Sequence, residues 1–116
     1  YGETKAHYFA AADAYISLSR RENFNFAAAE SMAAGLPLIL SPGNDLVQEF
    51  AGTDCVWSIK DDSIKSAAEK ICEFVNCRSQ SVSAMGTAGR EWALANLRYD
   101  TFAKRIQCLA EEIGRQ

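Results

Sequence analysis

Two glutamates in the first third of the chain, Glu22 and Glu30, have seven residues between them. The first lies in a polar segment, residues 19–25, and the second lies about one turn into a helix predicted from residue 26. A helix N-terminus presents unpaired N–H groups and a partial positive charge, which together favour a phosphate group. A carboxylate beside that phosphate can accept hydrogen bonds from ribose hydroxyls. Two solvated surface glutamates would give the same spacing, so the spacing alone leaves both interpretations open.

Three short apolar runs, at residues 14–18, 38–40 and 55–59, predict the β-strands that would position this segment. The gaps between them are 19 and 14 residues long and both carry a helical pattern. Each gap can hold the crossover that joins parallel strands, so the pattern predicts an α/β fold with a parallel sheet. Ligands bind such sheets beyond the carboxyl ends of the strands. Residues 19–25 and 41–44 are the loops at those ends, and Gly43 would permit a close backbone approach in the second.

Helices are predicted at residues 3–12, 26–34 and 45–50, then a fourth that follows Asp61 or Asp62, a fifth at residues 81–96 and a last one that follows Asp100. Asp61 or Asp62 is the expected cap of the fourth helix, and Asp100 is the expected cap of the last one. The fourth helix carries an apolar stripe of Ile64, Ala67, Ala68, Ile71 and Val75, and the last carries one of Phe102, Ile106, Leu109 and Ile113.

The number of strands bears on the domain organisation. Three strands are few for a doubly wound sheet, which usually has about five or six. The prediction is therefore α/β, the second half of a Rossmann-like parallel sheet followed by a C-terminal helical cluster. We expect residues 1–116 to form one domain, and the start at Tyr1, without a Met or signal peptide, suggests a piece of a longer protein.

Composition excludes several classes of protein. The 116 residues include 12 Lys and Arg against 15 Asp and Glu, a net charge of −3, which offers no electrostatic footprint for nucleic acid or an anionic membrane. No apolar run approaches the roughly 18 residues of a spanning helix. The four cysteines show no C-x-x-C spacing, and with the single His7 they make no convincing zinc site. We expect reduced structural thiols, with Cys72 and Cys108 buried in the apolar patterns of their helices.

Several stretches keep the order and spacing of a known family. They are ADAYISLS at residues 12–19, Glu22-Asn23-Phe24, and ESMAAGLPLI at residues 30–39. In this order they resemble the family 4 glycosyltransferases of GT-B fold. The pattern of that family is an A-D pair opening a strand, a Ser closing it, an E-G-F-G-type loop and then E-A-M-A-x-G-x-P-V-I. Glu22 and Glu30 would frame its E-x7-E motif, and the resemblance continues more weakly through residues 45–49.

The resemblance implies that the full-length protein is a hexosyltransferase, which moves a sugar from a nucleotide sugar to an acceptor with retained anomeric configuration. Glu22 would be the catalytic residue near the donor sugar, and Glu30 would hold the ribose of the nucleotide. The other donor-binding candidates are Asn23 and the backbone N–H groups of Phe24, Asn25, Phe26 and Ala27. In such enzymes fixed donors and basic residues stabilise the departing diphosphate, so no cofactor and no metal are expected.

The resemblance also implies the partners. These are a nucleotide-sugar donor and a sugar or lipid-linked acceptor, the latter held by an N-terminal domain outside this chain. No nucleic-acid partner is expected, and contact with a membrane surface would come only through the missing part. The expected location is the cytoplasm, with the cytoplasmic face of the membrane as an alternative.

Two departures from the family pattern leave alternatives open. Asn23 and Asn25 replace its loop glycines; Asn tolerates left-handed backbone better than other residues, but each side chain would stand where a sugar approaches. The family's upstream basic pair lies outside this chain, and Arg20 and Arg21 are either substitutes or solvated. A non-catalytic Rossmann-like binding or interaction domain is therefore the alternative function. An unrelated Rossmann-like domain lacks support, because no G-x-G-x-x-G follows a strand.

Overall fold

The computed structural model describes residues 2–50 and 53–115. Helices and strands alternate along the first half of the chain, and three successive helices form the second half. The elements are α1 (Gly2–Ala11), β1 (Tyr15–Ser17), α2 (Phe26–Ala33), β2 (Leu38–Leu40), α3 (Leu46–Glu49), β3 (Val56–Ser58), α4 (Ile64–Asn76), α5 (Ser79–Asn96) and α6 (Tyr99–Gly114). The predicted α/β fold with a C-terminal helical cluster is confirmed.

The three strands of the described ranges form one parallel sheet in the order β1-β2-β3. Ile16, Ile39 and Trp57 occupy the same row of the register across the three strands. The central strand β2 is buried along its whole length, as expected for a parallel strand covered on both faces. The loops after β1 and β2 therefore leave the sheet side by side at one edge.

The hydrophobic core lies between the sheet, α2 and α5. Its buried members are Ala28, Met32, Leu38, Leu40, Leu46, Phe50, Cys55 and Ala93. Gly86 of α5 packs directly on the carbonyl group of Gly35, and a Cβ on Gly89 would lie 3.1 Å from Cγ of Met32. These two glycines, which make the α5 sequence irregular, allow α5 to approach α2 closely.

The predicted cap of α4 is wrong. The Ser63 side chain accepts the N–H of Ser66 at 3.1 Å and caps the helix, rather than Asp61 or Asp62. Asp61 instead accepts the N–H of Ser63 at 2.9 Å, one step before the helix begins. A serine hydroxyl at the N-cap position reaches the third helical N–H, so Ser63 takes the role predicted for Asp61 or Asp62.

The starts of α5 and α6 also differ from the prediction. α5 begins at Ser79, two residues before the predicted start at residue 81. α6 begins at Tyr99 after Arg98, so Asp100 lies inside the first turn and is not the cap. Its carboxylate accepts a hydrogen bond from Nε of Arg98 at 3.1 Å, and this hydrogen bond lowers the pKa of Asp100.

The apolar stripes of α4 and α6 are exposed in this chain. The exposed members are Ile64, Ile71, Val75, Ile106, Leu109 and Ile113, while the side chain of Phe102 lies outside the described set. Cys72 and Cys108 share these surfaces and are exposed, so the prediction that both are buried is wrong; Cys55 is the buried thiol. A stripe with helical periodicity becomes buried only where another surface packs on it.

Candidate functional site

The loops that follow β1 and β2 join through a short parallel bridge between Glu22 and Asn44. The Glu22 N–H donates to the Gly43 carbonyl at 2.8 Å, and the Asp45 N–H donates to the Glu22 carbonyl at 3.1 Å. Both backbone groups of Glu22 are thus held by the neighbouring loop. This places the catalytic candidate at the carboxyl edge of the sheet, where open α/β sheets bind ligands.

Gly43 enables this junction. A Cβ at this position would overlap the backbone of Arg20, so the second loop can lie on the first only because residue 43 has no side chain. The close approach expected at Gly43 is therefore present, and its partner is the Arg20 backbone. The side chains of Arg20 and Arg21 are exposed.

The Glu22 side chain is half-buried, and its Oε2 accepts a hydrogen bond from Ser19 Oγ at 3.4 Å. This long hydrogen bond fixes the carboxylate less tightly than the loop fixes the backbone. Asn23 and Phe24 follow it on the exposed side and line a groove of about 470 Å³ with Asp45 and Glu49. Glu22 thus has a fixed backbone and a partly accessible carboxylate.

Asn25 is the N-cap of α2, and its side chain is directed into the protein. Its Oδ1 accepts the N–H of Ala28 at 3.0 Å and the hydroxyl of Tyr15 at 3.2 Å, while its Nδ2 donates to Asn44 Oδ1 at 3.0 Å. Only 7% of Asn25 is exposed. The expectation that this side chain stands in the path of a sugar is therefore wrong, because its hydrogen-bonding groups are used beneath the loop.

The left-handed turn considered for the two asparagines is also absent from the described ranges. Asn25 has a φ of −84°, and among the residues that the structure describes a positive φ occurs at Gly35, at 89°. Gly35 has this conformation just after α2, as expected for a glycine that ends a helix. The side-chain cap of Asn25 stabilises the loop without the backbone freedom of glycine.

Of the first three N–H groups of α2, those of Phe26, Ala27 and Ala28, one has no acceptor among the described residues. The N–H of Phe26 donates to the Phe24 carbonyl at 3.1 Å, and that of Ala28 is taken by the Asn25 cap. Within residues 2–50 and 53–115 the N–H of Ala27 meets no acceptor. Phe24 and Phe26 are exposed, with ring centroids 4.7 Å apart in an edge-on pair.

Glu30 lies on the outer face of α2, and its carboxylate forms an ion pair with Lys5 of α1. The side chain is 48% exposed, so a solvent molecule or a ligand can reach it. It lines an apolar groove of about 810 Å³ together with Phe24, Phe26 and Tyr99. Glu22 and Glu30 keep separate partners, and Phe24 lies on both of the grooves described here.

Asn44 is the residue of this region that sequence reasoning missed. Its side chain is 1% exposed and connects the ends of both strands, with hydrogen bonds to Ser17, Ser41 and Asn25. The polar run Ser41-Pro42-Gly43-Asn44 at the end of a buried strand is the signal that could have pointed to it. An asparagine in a loop is usually exposed, and its burial here depends on contacts across 19 to 27 residues.

Other features of the described part of the chain add no further site. His7 is exposed on α1. Between residues 2 and 115, with 51 and 52 set aside, no three His, Cys, Asp or Glu residues are grouped to hold a metal ion. Over the same ranges no helix has both the length and the apolar content to cross a membrane.

Comparisons with known proteins agree with this architecture. The profile of the family Glycosyl transferases group 1 matches residues 1–92. A GDP-mannose-dependent alpha-(1-6)-phosphatidylinositol monomannoside mannosyltransferase of Mycobacterium tuberculosis is 31% identical over 77 residues, which are 66% of this chain and 20% of that protein. This chain thus spans about a fifth of the curated relatives it matches.

The fold has a counterpart of known structure. Sucrose-phosphate synthase from Thermosynechococcus elongatus superposes with a TM-score of 0.80 at 23% identity, over 97% of this chain and 28% of that one. The likeness extends over nearly all of the chain, so it includes the helices that follow β3. The chain therefore belongs to the group 1 glycosyltransferases and carries part of the C-terminal domain of their GT-B fold, as the motifs indicated.

Proposed function

We propose that the full-length protein transfers a hexose from a nucleotide sugar to an acceptor hydroxyl with retention, and that this chain forms the donor side of the site. The observation that carries the proposal is the junction of the Glu22 and Gly43–Asp45 loops at the carboxyl edge of the sheet, next to the N-terminus of α2. Membership of the group 1 glycosyltransferases supports it. The name of the mycobacterial relative makes GDP-mannose the first donor to test.

Each polar group of this edge has a chemical role in the proposal. The exposed Glu30 carboxylate accepts hydrogen bonds from the ribose hydroxyls and exchanges part of its ion pair with Lys5 for them. The diphosphate lies at the N-terminus of α2, where the Ala27 N–H is available and the helix dipole favours negative charge. The donor sugar then lies over the loop of Glu22, Asn23 and Phe24.

The proposed reaction breaks the bond between the anomeric carbon and the diphosphate oxygen, and the bonding electrons leave with the diphosphate. The acceptor oxygen bonds to the same face of the sugar, which retains the configuration, and its proton passes to the departing diphosphate oxygen. Positive charge that develops at the anomeric carbon is stabilised by the Glu22 carboxylate, and the negative charge of the leaving diphosphate by the helix N-terminus. These fixed groups require no metal ion.

The acceptor side of the site belongs to the proposal as well. A sugar or lipid-linked acceptor would be held by an N-terminal domain outside this chain, at the cytoplasm or the cytoplasmic face of the membrane. The relative acts on phosphatidylinositol monomannoside by its name, so this lipid is the first acceptor to test.

The experiment uses the full-length protein with a panel of GDP-, UDP- and ADP-sugars. Release of the nucleoside diphosphate is followed with phosphatidylinositol monomannoside present and absent, and with EDTA added. We expect turnover with one donor, unchanged by EDTA, and a product of retained configuration by NMR. The matched control is the double variant Glu22→Gln with Glu30→Gln, which should lose turnover while it stays folded.

Two outcomes would contradict the proposal. A protein that binds a nucleoside diphosphate without any turnover across the panel would be the non-catalytic Rossmann-like binding domain. A protein that binds no nucleotide at all would have neither function.

A further inference from the structure

The buried amide of Asn44 has every polar atom engaged. Its Nδ2 lies 3.1 Å from Ser41 Oγ and 3.3 Å from the carbonyl oxygens of Ser17 and Ser41. Its Oδ1 accepts from Asn25 Nδ2 at 3.0 Å and from Ser17 Oγ at 3.3 Å. The side chain therefore joins the end of β1, the end of β2 and the cap of α2 at one point.

The backbone on either side of Asn44 holds Glu22. Gly43 accepts the Glu22 N–H at 2.8 Å, and Asp45 donates to the Glu22 carbonyl at 3.1 Å. Gly43 and Asp45, which make the two hydrogen bonds that fix Glu22, are the chain neighbours of Asn44. A movement of Asn44 would therefore displace both hydrogen bonds. The side chain of Glu22 adds one long hydrogen bond, from Ser19.

We propose that Asn44 is a positioning residue for Glu22, and that its side-chain hydrogen bond with Asn25 fixes the loop of residues 19–25 at the carboxyl edge of the sheet. This inference rests on the proposed function, since it gives Glu22 its place beside the donor sugar. Asn25 caps α2 with a φ of −84° and donates to Asn44, so the Asn25–Asn44 pair fixes the loop by side-chain hydrogen bonds.

The site requires an amide at residue 44 for a chemical reason. Its Nδ2 is a second donor to the carbonyl oxygens of Ser17 and Ser41, which also accept backbone N–H groups. Its Oδ1 accepts from both Asn25 Nδ2 and the Ser17 hydroxyl. An aspartate has the same shape but cannot donate when ionised, and its charge would be buried beside two carbonyl oxygens. An alanine removes all of these hydrogen bonds, so Asn25 Nδ2 and Ser41 Oγ keep only their bonds to Ser17 Oγ and to the Ser19 carbonyl.

The test compares Asn44→Asp and Asn44→Ala with wild type in the full-length protein. Asn25→Asp is the second probe, because a carboxylate still accepts the Ala28 N–H and caps α2 but cannot donate to Asn44. Asn76→Asp is the matched control: Asn76 also donates to a backbone carbonyl, that of Cys72 at 2.8 Å, but it is exposed on α4.

Two readouts separate positioning from general stability. The first is hydrogen exchange at the amides of Glu22 and Asp45, which are the donors of the loop junction. The second is kcat and KM for GDP-mannose as the donor probe, with phosphatidylinositol monomannoside as the acceptor, measured well below each variant's melting temperature.

We expect the Asn44 variants and Asn25→Asp to exchange these two amides roughly tenfold faster, because the junction opens more often. Their kcat should fall by roughly 10-fold to 100-fold with donor KM changed less than about threefold, since displacement of a catalytic group by about 1 Å costs about this much. Asn76→Asp should match wild type in both readouts.

Unchanged exchange at Glu22 and Asp45 would overturn the inference, and so would a lowered melting temperature with wild-type kcat. If the wild-type protein releases no GDP under any condition, the proposed function fails instead. The exchange rates of Glu22 and Asp45 then decide by themselves whether Asn44 fixes the loop.

Discussion

Glu22 and Glu30 are held in different ways, and this difference determines what each can contribute. The backbone of Glu22 is fixed from both sides by the Gly43–Asp45 segment, and its carboxylate has one long hydrogen bond. Glu30 projects from the outer face of α2 with an ion-paired but accessible carboxylate. A fixed group suits a requirement of the transition state, whereas an accessible carboxylate suits binding that both substrate and transition state use.

The first prediction concerns Glu30. In the full-length protein, Glu30→Gln should raise the donor KM roughly tenfold with little change in kcat, because loss of a charge-assisted hydrogen bond costs about 1.5 kcal/mol in both states. Steady-state kinetics with GDP-mannose measures this. Glu73→Gln is the matched control, since Glu73 is also an exposed glutamate in an ion pair with a lysine, Lys70. A wild-type KM in Glu30→Gln would remove this residue from the donor site.

The second prediction concerns Glu22. Glu22→Gln should lower kcat roughly 100-fold, about 2.7 kcal/mol, because the lost charge matters most as positive charge develops on the sugar. The melting temperature should stay close to that of wild type, since an exposed or half-buried loop carboxylate usually contributes about 0.5 kcal/mol or less. The same assays and a thermal melt measure both quantities. A large loss of stability without a kinetic effect would make Glu22 structural.

The packing of α5 on α2 sets the position of Glu30 and of the N-terminus of α2, because both belong to that helix. Gly86 lies against the carbonyl of Gly35, and Gly89 lies against Met32. At Gly86 the helices can therefore approach this closely only with glycine, whereas a Cβ at Gly89 would require a small shift of the Met32 side chain. Helix propensity alone would favour alanine, so tertiary contact has overridden local preference here.

The third prediction tests this contact between α2 and α5. Gly86→Ala should destabilise the protein by about 1–3 kcal/mol, since the new methyl group would overlap a backbone carbonyl that cannot move away. Gly114→Ala is the matched control, because a Cβ there meets nothing within 4 Å and alanine is the better helix former. Denaturant unfolding measures both variants. Equal stabilities for the two variants would show that α5 does not pack this closely.

The fourth prediction concerns the start of α4. Hydrogen bonds from Ser63 lower the pKa of Asp61 from 3.8 to about 2. A folded-state pKa below the unfolded value adds stability above the unfolded pKa, and this contribution disappears as the pH falls from about 4 towards 2. Asp61→Asn should therefore melt below wild type at pH 5, with the difference shrinking across that window.

Asp62→Asn is the control for this pH effect, because the exposed Asp62 is outside this set of hydrogen bonds. Circular dichroism melts between pH 2.5 and pH 6 measure all three proteins. A difference between Asp61→Asn and wild type that stayed constant over this range would contradict the assignment.

The molecule as a whole is elongated. Its radius of gyration is 16.0 Å and its extents are 53 × 33 × 28 Å, whereas a compact domain of this length has a radius of gyration of about 13 Å. The apolar stripes on α4 and α6 stay exposed in this elongated chain. In the proposed donor site, Arg20 and Arg21 are exposed, and no contact of the described residues holds either side chain at the N-terminus of α2.

The fifth prediction follows from this incomplete set of charges. Residues 1–116 produced alone should bind GDP with a Kd of roughly 100 µM or weaker, about −5 kcal/mol, while the full-length protein binds more tightly. Isothermal titration calorimetry measures both, with circular dichroism to establish that the isolated chain is folded. Nanomolar binding by residues 1–116 would mean that these residues contain a complete diphosphate site, with Arg20 and Arg21 as the first residues to examine.

Sequence by itself determined the order of strands and helices, the parallel sheet and the family. Local patterns in the sequence indicate these features. They are the apolar runs of strand length, the gaps long enough for a crossover helix, Gly35 after α2, and the spacing from Glu22 to Glu30. Periodicity and turn chemistry act over a few residues, so they can be recognised without knowing what packs against what.

Tertiary structure decided which groups meet and which stay exposed. Asn25 and Asn44 are 19 residues apart, and their hydrogen bond exists because two parallel strands bring the ends of both loops to one edge. The apolar stripes of α4 and α6 led to a wrong prediction of burial for the same reason. Amphipathic periodicity marks a surface that can be buried, but burial depends on a partner surface elsewhere in the fold. Long-range contacts, which no local pattern encodes, therefore place Asn44 beside the backbone of Glu22.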